Sequence, residues 1–199
     1  SRVVDFPIYT QFPSGRTYSM VADSGDWSYQ YKKIMQYFAK YDLHEYAAWC
    51  LQKLNTMKDS GDMLSFLWHP GHKEPKVPTD DKKVLGKLFN DMGLAVFKTG
   101  WGTDDVMANL KSSKRTGNMT HHTHLDQNSI ELIRGNSQLL CDPGYQDYSS
   151  GPKRDFTLAT GHNIFVLDGK PQSSYNFVGQ IENFFMGDKY GFSVGEAGL

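Results

Sequence analysis

The sequence predicts an α+β protein, a helical first part followed by an antiparallel β-sandwich. Three observations carry that expectation. Apolar residues recur at helical spacing as far as Trp68, a polar stretch with Pro75 and Pro78 follows, and from Leu94 onward the apolar period falls to two, with Gly, Asp and Ser turns between short runs. The change of period divides the chain into residues 1–83, helices plus linker, and residues 84–199, sandwich.

Each element has its own signal. Residues 3–25 contain the turns Phe12-Pro13-Ser14-Gly15 and Asp23-Ser24-Gly25-Asp26 and are expected to form an extended loop bordering a cleft. Residues 28–40 place Tyr31, Ile34, Met35 and Phe38 at i, i+3, i+4 and i+7, which is one apolar face of a helix. Asp42 and Glu45 have the spacing of a capping box for the next helix, where Tyr46, Trp49, Cys50 and Leu54 again share a face. Residues 62–68 form a short third helix, ended by Pro70-Gly71. Residues 71–83 read as linker. Strands are expected at 94–98, 106–110, 128–133, 138–141 and 163–167, with Asp168-Gly169 as a hairpin turn and another strand near the C-terminus from Phe192.

Composition removes several function classes. With 39% hydrophobic and 22% charged residues in 199, the chain can bury one or two cores and is not disordered. A net charge of -1 gives no general pull toward nucleic acid, so an acidic polymer would have to be held by local cations. The two cysteines, Cys50 and Cys141, lie far apart in unlike contexts, which indicates neither a disulfide framework nor a cysteine zinc site. No apolar run approaches a membrane span.

The chemistry concentrates in His121-His122-Thr123-His124-Leu125-Asp126-Gln127-Asn128-Ser129, which holds three of the seven histidines. Asp142, in Cys141-Asp142-Pro143-Gly144, and His162, in Gly161-His162-Asn163, follow. The Gly/Asn turn Arg134-Gly135-Asn136-Ser137 folds the second strand back, so Asp142 returns to the start of the first strand, where the histidines sit. Imidazole, carboxylate and imidazole can then converge on zinc or a similar divalent ion. Asp126, Gln127 and Asn128 read as residues that satisfy loop backbone and orient the histidines. His44, His69 and His72 lie in unrelated contexts and read as structural or surface groups.

Several of these pieces together carry a family resemblance. The run Phe89-Asn90-Asp91-Met92-Gly93-Leu94-Ala95-Val96-Phe97-Lys98-Thr99-Gly100-Trp101-Gly102, then His122-x-His124-x-Asp126-Gln127-Asn128-Ser129, Asp142-Pro143-Gly144-Tyr145, His162-Asn163 and Asp168-Gly169, resembles the heparinase II/III-like polysaccharide lyases. The match runs over residues 87–169, and the Asp-Gln-Asn-Ser piece is most similar to the oligoalginate lyase branch. The resemblance implies that the helices end an (α/α) toroid, that the strands begin its sandwich, and that the chain is a middle segment of a longer protein.

It also implies an activity, β-elimination on a uronate glycan such as alginate or a glycosaminoglycan. That reaction removes the C5 proton, so a base, an acid for the leaving oxygen and a partner for the neighbouring carboxylate must be supplied. By resemblance His122 faces the substrate as the catalytic histidine. His124, Asp142 and His162 hold one zinc ion, mainly structural, while the principal Tyr and the carboxylate partners come from toroid helices upstream. Tyr145 and Arg154 are candidate sugar contacts. Thr160-Gly161-His162-Asn163 departs from relatives that carry Arg before an Ala-His-Asn triplet, which removes one candidate anion contact. The expected partners are a uronate polysaccharide and the rest of the toroid and sandwich, without nucleic acid or membrane, in a periplasmic or secreted setting. Two other classes share the motif: a cupin-like non-haem iron enzyme, and a non-catalytic carbohydrate-binding or structural metal-binding β domain.

Overall fold

The computed structural model describes residues 4–21, 28–54, 62–78, 85–113, 123–144, 155–170, 172 and 178–197. Four helices come first: α1 (Asp5–Thr10), α2 (Ser28–Lys40), α3 (Ala47–Lys53) and α4 (Met63–Leu67). Seven strands follow, β1 (Gly86–Phe89), β2 (Leu94–Lys98), β3 (Val106–Lys111), β4 (Ser129–Arg134), β5 (Ser137–Leu140), β6 (Gly179–Met186) and β7 (Gly191–Ala197). The first five form one antiparallel sheet in sequential order, and β6 pairs with β7. The α+β class and the antiparallel sheets are as the sequence predicts.

One face of the main sheet explains where the site lies. Register pairs Met107 with Ile133, Asn109 with Glu131 and Lys111 with Ser129, and all six are buried. The apolar residues of that face, Met107 and Ile133 with Leu94 and Val96 of β2, share one core with Val4, Ile8 and Phe12 of the N-terminal segment and Cys50 and Leu51 of α3. Toward the start of β4 the same face turns polar. Burial there demands partners, and Asn109 donates to Glu131 while Lys111 pairs with Asp126.

Against the opposite face lies the β6–β7 hairpin. Phe97 stacks on Phe184 with ring centroids 5.2 Å apart, and Ser112 Oγ donates to the Glu196 carbonyl at 2.6 Å. A Cβ on Gly86 would come within 2.8 Å of Met186 Cγ, so a side chain at that position would push the layers apart.

The structure corrects three expectations. Residues 5–10, expected as loop, form α1, with Pro7 in its first turns, where a missing N–H costs no helical bond. Six residues are too few for a periodic signal. The Asp42–Glu45 capping box does not form: α3 starts at Ala47 without a side-chain cap, and the Tyr46 N–H instead donates to His44 Nδ1 at 3.1 Å. Asp42 is left-handed at φ 52° and pairs with Lys73, while Glu45 pairs with Lys76. No strand forms at 163–167; Asn163 docks on the β4–β5 hairpin at a single point, its carbonyl accepting from the Ile130 N–H at 3.1 Å and its side chain donating to the Ile130 and Cys141 carbonyls at 3.2 and 2.8 Å. The Asp168-Gly169 turn is present, with φ of 50° and 71° between the paired residues Leu167 and Lys170. Strands β1 and β6 had no sequence expectation.

Candidate functional site

Three segments build the site. Residues 123–128 precede β4 and are fixed at both ends: the Leu125 N–H donates to Thr157 O at 3.0 Å, and Gln127 Oε1 accepts from the Ser113 N–H at 2.7 Å. Gln172 adds a two-way amide contact with the Gln127 backbone, at 3.0 and 2.7 Å. Asn128, at φ 58°, turns the chain into β4. The second segment is the end of the β4–β5 hairpin, where Asp142 Oδ1 accepts from the Gly144 N–H at 2.8 Å. The third is the 3-10 turn Ala159–Gly161, whose following residue is His162.

His124, Asp126, Asp142 and His162 are all buried. The two imidazole centroids lie 5.1 Å apart, and Asp142 Oδ2 is 2.9 Å from His162 Nδ1. Asp142 and both imidazoles are thus close in space, with Asp142 bonded to His162. A second carboxylate joins them, since ligand atoms of His124, Asp126 and His162 lie within 4.8 Å of one another. Asp126, read from sequence as a loop-capping group, carries its charge into the centre of the site. The signal that could have shown this was its spacing two residues after His124.

The two carboxylates differ in how their charge is used. Asp126 forms an ion pair with the buried Lys111 Nζ through Oδ1. Asp142 has no lysine or arginine at ion-pair distance among the described residues, and its two oxygens are engaged by the His162 ring and the Gly144 N–H. Donor chemistry fits zinc. His162 Nε2 and Asp126 Oδ2 are buried without a hydrogen-bond partner among the described residues, which a bound cation would remedy. Of the two carboxylates, Asp126 has a ligand atom within 4.8 Å of ligand atoms of both histidines, whereas Asp142 bonds the ring of His162.

Behind the site sits Glu131. Its Oε2 accepts from Asn109 Nδ2 at 2.8 Å, and the same amide donates to Ser19 Oγ at 2.6 Å. Burial pushes the Glu131 carboxyl from 4.5 up to about 7, opposed by the Asn109 bond and assisted by the Asp142 charge. A carboxyl with a raised folded value holds its proton more tightly when folded. Its contribution to stability is therefore complete below about pH 4.5 and lost as pH rises through about 7, a swing of about 3 kcal/mol. Glu131→Gln is expected to remove that swing. Urea unfolding of both proteins at about pH 4 and about pH 8 should show it as a pH-dependent stability difference, and a difference that stays constant would contradict it.

The remaining expected residues, His122, Tyr145 and Arg154, lie outside the described residues. His44 bonds Asp5 Oδ1 at 3.1 Å, away from the histidine cluster in a structural role.

Comparison with known proteins then places this geometry. The family described as "Heparinase II/III-like, C-terminal" matches residues 81–189. Among solved structures, one titled heparinase III aligns with TM-score 0.63 at 18% identity, covering 92% of this chain and 28% of that one. Heparan sulfate lyase HepC from Pedobacter heparinus aligns with TM-score 0.60 at 17% identity, covering 90% of this chain and 25% of that one. At such identities the likeness concerns the fold, and the chain spans about a quarter of the length of these structures. No curated protein matches the sequence.

Proposed function

Because the chain belongs to the heparinase II/III-like family through the C-terminal domain matched at residues 81–189, we propose that it forms part of a polysaccharide lyase that cleaves a uronate glycan by β-elimination. The observation that carries this reading is the buried His124–His162–Asp142 cluster, which begins two residues after His122 and would fix the loop bearing it. Alginate and the glycosaminoglycans both fit the chemistry. Periplasmic or secreted placement belongs to the same proposal.

Roles follow from what elimination requires. His122 takes or relays the C5 proton, a task suited to an imidazole near neutral pH. His124, Asp142 and His162 would hold zinc, whose contribution is to lock three loops together. Lys111 pairs with Asp126 beside the cluster, and Gln127 and Gln172 hold the backbone between His124 and β4. Tyr145 and Arg154 contact the sugar chain. The Tyr that completes acid–base chemistry and the partner for the substrate carboxylate belong to toroid helices that these residues do not include.

The test follows the division of labour. In the form that carries the toroid, His122→Ala is expected to abolish unsaturated uronate ends on every polymer the unchanged protein cleaves, across alginate, heparin, heparan sulfate, chondroitin sulfate and hyaluronan, while zinc stays bound. The 199-residue chain alone should produce none, since it supplies only part of the base, acid and neutraliser set. Near-normal turnover by His122→Ala would remove that residue from the reaction. Glycan binding without turnover in the toroid-bearing form would favour the non-catalytic reading.

A further inference from the structure

The β6–β7 hairpin supplies none of the clustered histidines and carboxylates, yet it rests on the segment that leads out of the cluster. Two of its glycines make the contact. A Cβ on Gly179 would overlap Gln127 Oε1 and Ser112 Oγ and lie 2.9 Å from Gln127 Cδ. A Cβ on Gly195 would overlap Asn128 Oδ1 and lie 3.2 Å from Ser112 Cβ. Gly179 is in β6 and Gly195 in β7, both at the end of the hairpin remote from its turn. Glycine inside a strand packs through backbone alone and marks the close approach of another chain segment.

Hydrogen bonds run through the same contact. Ser113, just after β3, donates its N–H to Gln127 Oε1 at 2.7 Å, and its carbonyl accepts from the Gly179 N–H at 3.2 Å. Ser112 Oγ donates to the Glu196 carbonyl at 2.6 Å, next to Gly195. The end of β3 is therefore clamped between hairpin and loop, with Gln127 buried beneath it. Gln127 Oε1 cannot retreat without releasing the Ser113 N–H, because the Gln127 backbone is itself held at both its N–H and its carbonyl by Gln172. Since Gln127 directly follows His124-Leu125-Asp126, a shift of its backbone moves the loop that carries the histidines.

We propose that the β6–β7 sheet is a brace for the histidine loop, and that Gly179 and Gly195 are positioning residues that let it seat on Gln127 and Asn128 and so fix the loop carrying His122 and His124. The brace rests on this packing alone, and its effect on turnover rests on the uronate-lyase reading. A group that moves a proton must be held to about 0.5 Å of its productive place. Small misplacement costs rate far more than it costs binding of a long polymer, so the two glycines act on the chemical step through the loop.

Gly179→Ala, Gly195→Ala and Gln127→Met in the toroid-bearing form test it by two readouts. Hydrogen exchange followed by mass spectrometry should show residues 123–129 exchanging about tenfold faster in each variant, with residues 106–111 and 130–134 unchanged, since the opening is local. On whichever of alginate, heparin, heparan sulfate, chondroitin sulfate and hyaluronan the unchanged protein cleaves, kcat should fall by about tenfold with KM within about twofold, the mark of lost positioning. Adding Asn128→Gly to Gly195→Ala removes the overlapped oxygen at a backbone angle, φ 58°, that glycine accepts, and should recover most of both losses. Gln127→Met keeps the bulk of the side chain and loses only the acceptor for the Ser113 N–H, so it reads the brace even where an alanine at either glycine prevents folding. Exchange that rises evenly over the whole chain, faster loop exchange with kcat unchanged, or no recovery on adding Asn128→Gly would overturn the proposal. Because exchange is read without turnover, a missing lyase activity defeats only the lyase reading, and unchanged exchange at 123–129 defeats the brace whatever the activity.

Discussion

His124→Ala, His162→Ala and Asp142→Ala are each expected to release the zinc ion, about one per chain, that the proposed assignment gives this cluster. The cluster joins the segment before β4, the end of the β4–β5 hairpin and the turn before His162, three pieces that come together only in the fold. Zinc present at about a thousand times its Kd would stabilise such a protein by about 4 kcal/mol, and removing a ligand forfeits that. Elemental analysis and thermal unfolding with and without chelator measure both effects. Asp126→Ala should keep its zinc, because its charge is committed to Lys111. Zinc lost in Asp126→Ala but retained in Asp142→Ala would reverse the roles of the two carboxylates.

Lys111→Met is expected to destabilise the fold by about 3–5 kcal/mol. The Asp126 side chain is 0% exposed and Lys111 8%, so deleting the ammonium strands a carboxylate with one oxygen already lacking a hydrogen bond among the described residues. A loss of that size is a large share of a domain's usual 5–15 kcal/mol, so roughly the variant should unfold at much lower urea. Replacing both partners, Lys111→Met with Asp126→Leu, should recover most of the loss, since removing a buried pair outright leaves no charge stranded. If the single variant costs less than about 1 kcal/mol, the pair is not the electrostatic anchor of this loop.

Legibility varied with the range of the interaction involved. Strands β3 and β4 were readable because apolar residues recur at every second position, Val106, Ala108 and Leu110 and then Ile130 and Leu132, although the more buried face carries Asn109, Lys111 and Glu131. Helix α2 was readable for the corresponding reason at a period of 3.6. Helix α1 was not, because its six residues hold their shape through burial of Pro7, Ile8, Tyr9 and Thr10 and not through a repeating pattern. The failed capping box shows the limit of local spacing: Asp42 and Glu45 found lysines 31 residues away in sequence.

The same division holds at the site. By itself the sequence determined the fold class and the return of Asp142 toward the histidines, because turn chemistry and strand period are properties of neighbouring residues. Only the tertiary structure decided that Asp126 enters the cluster, that Lys111 neutralises it, and that Glu131 is buried behind it with its carboxyl raised to about 7. It alone also brought Gly179 and Gly195 of the second sheet against Gln127 and Asn128. Burial and charge pairing depend on which face meets which in three dimensions, and no local pattern encodes that.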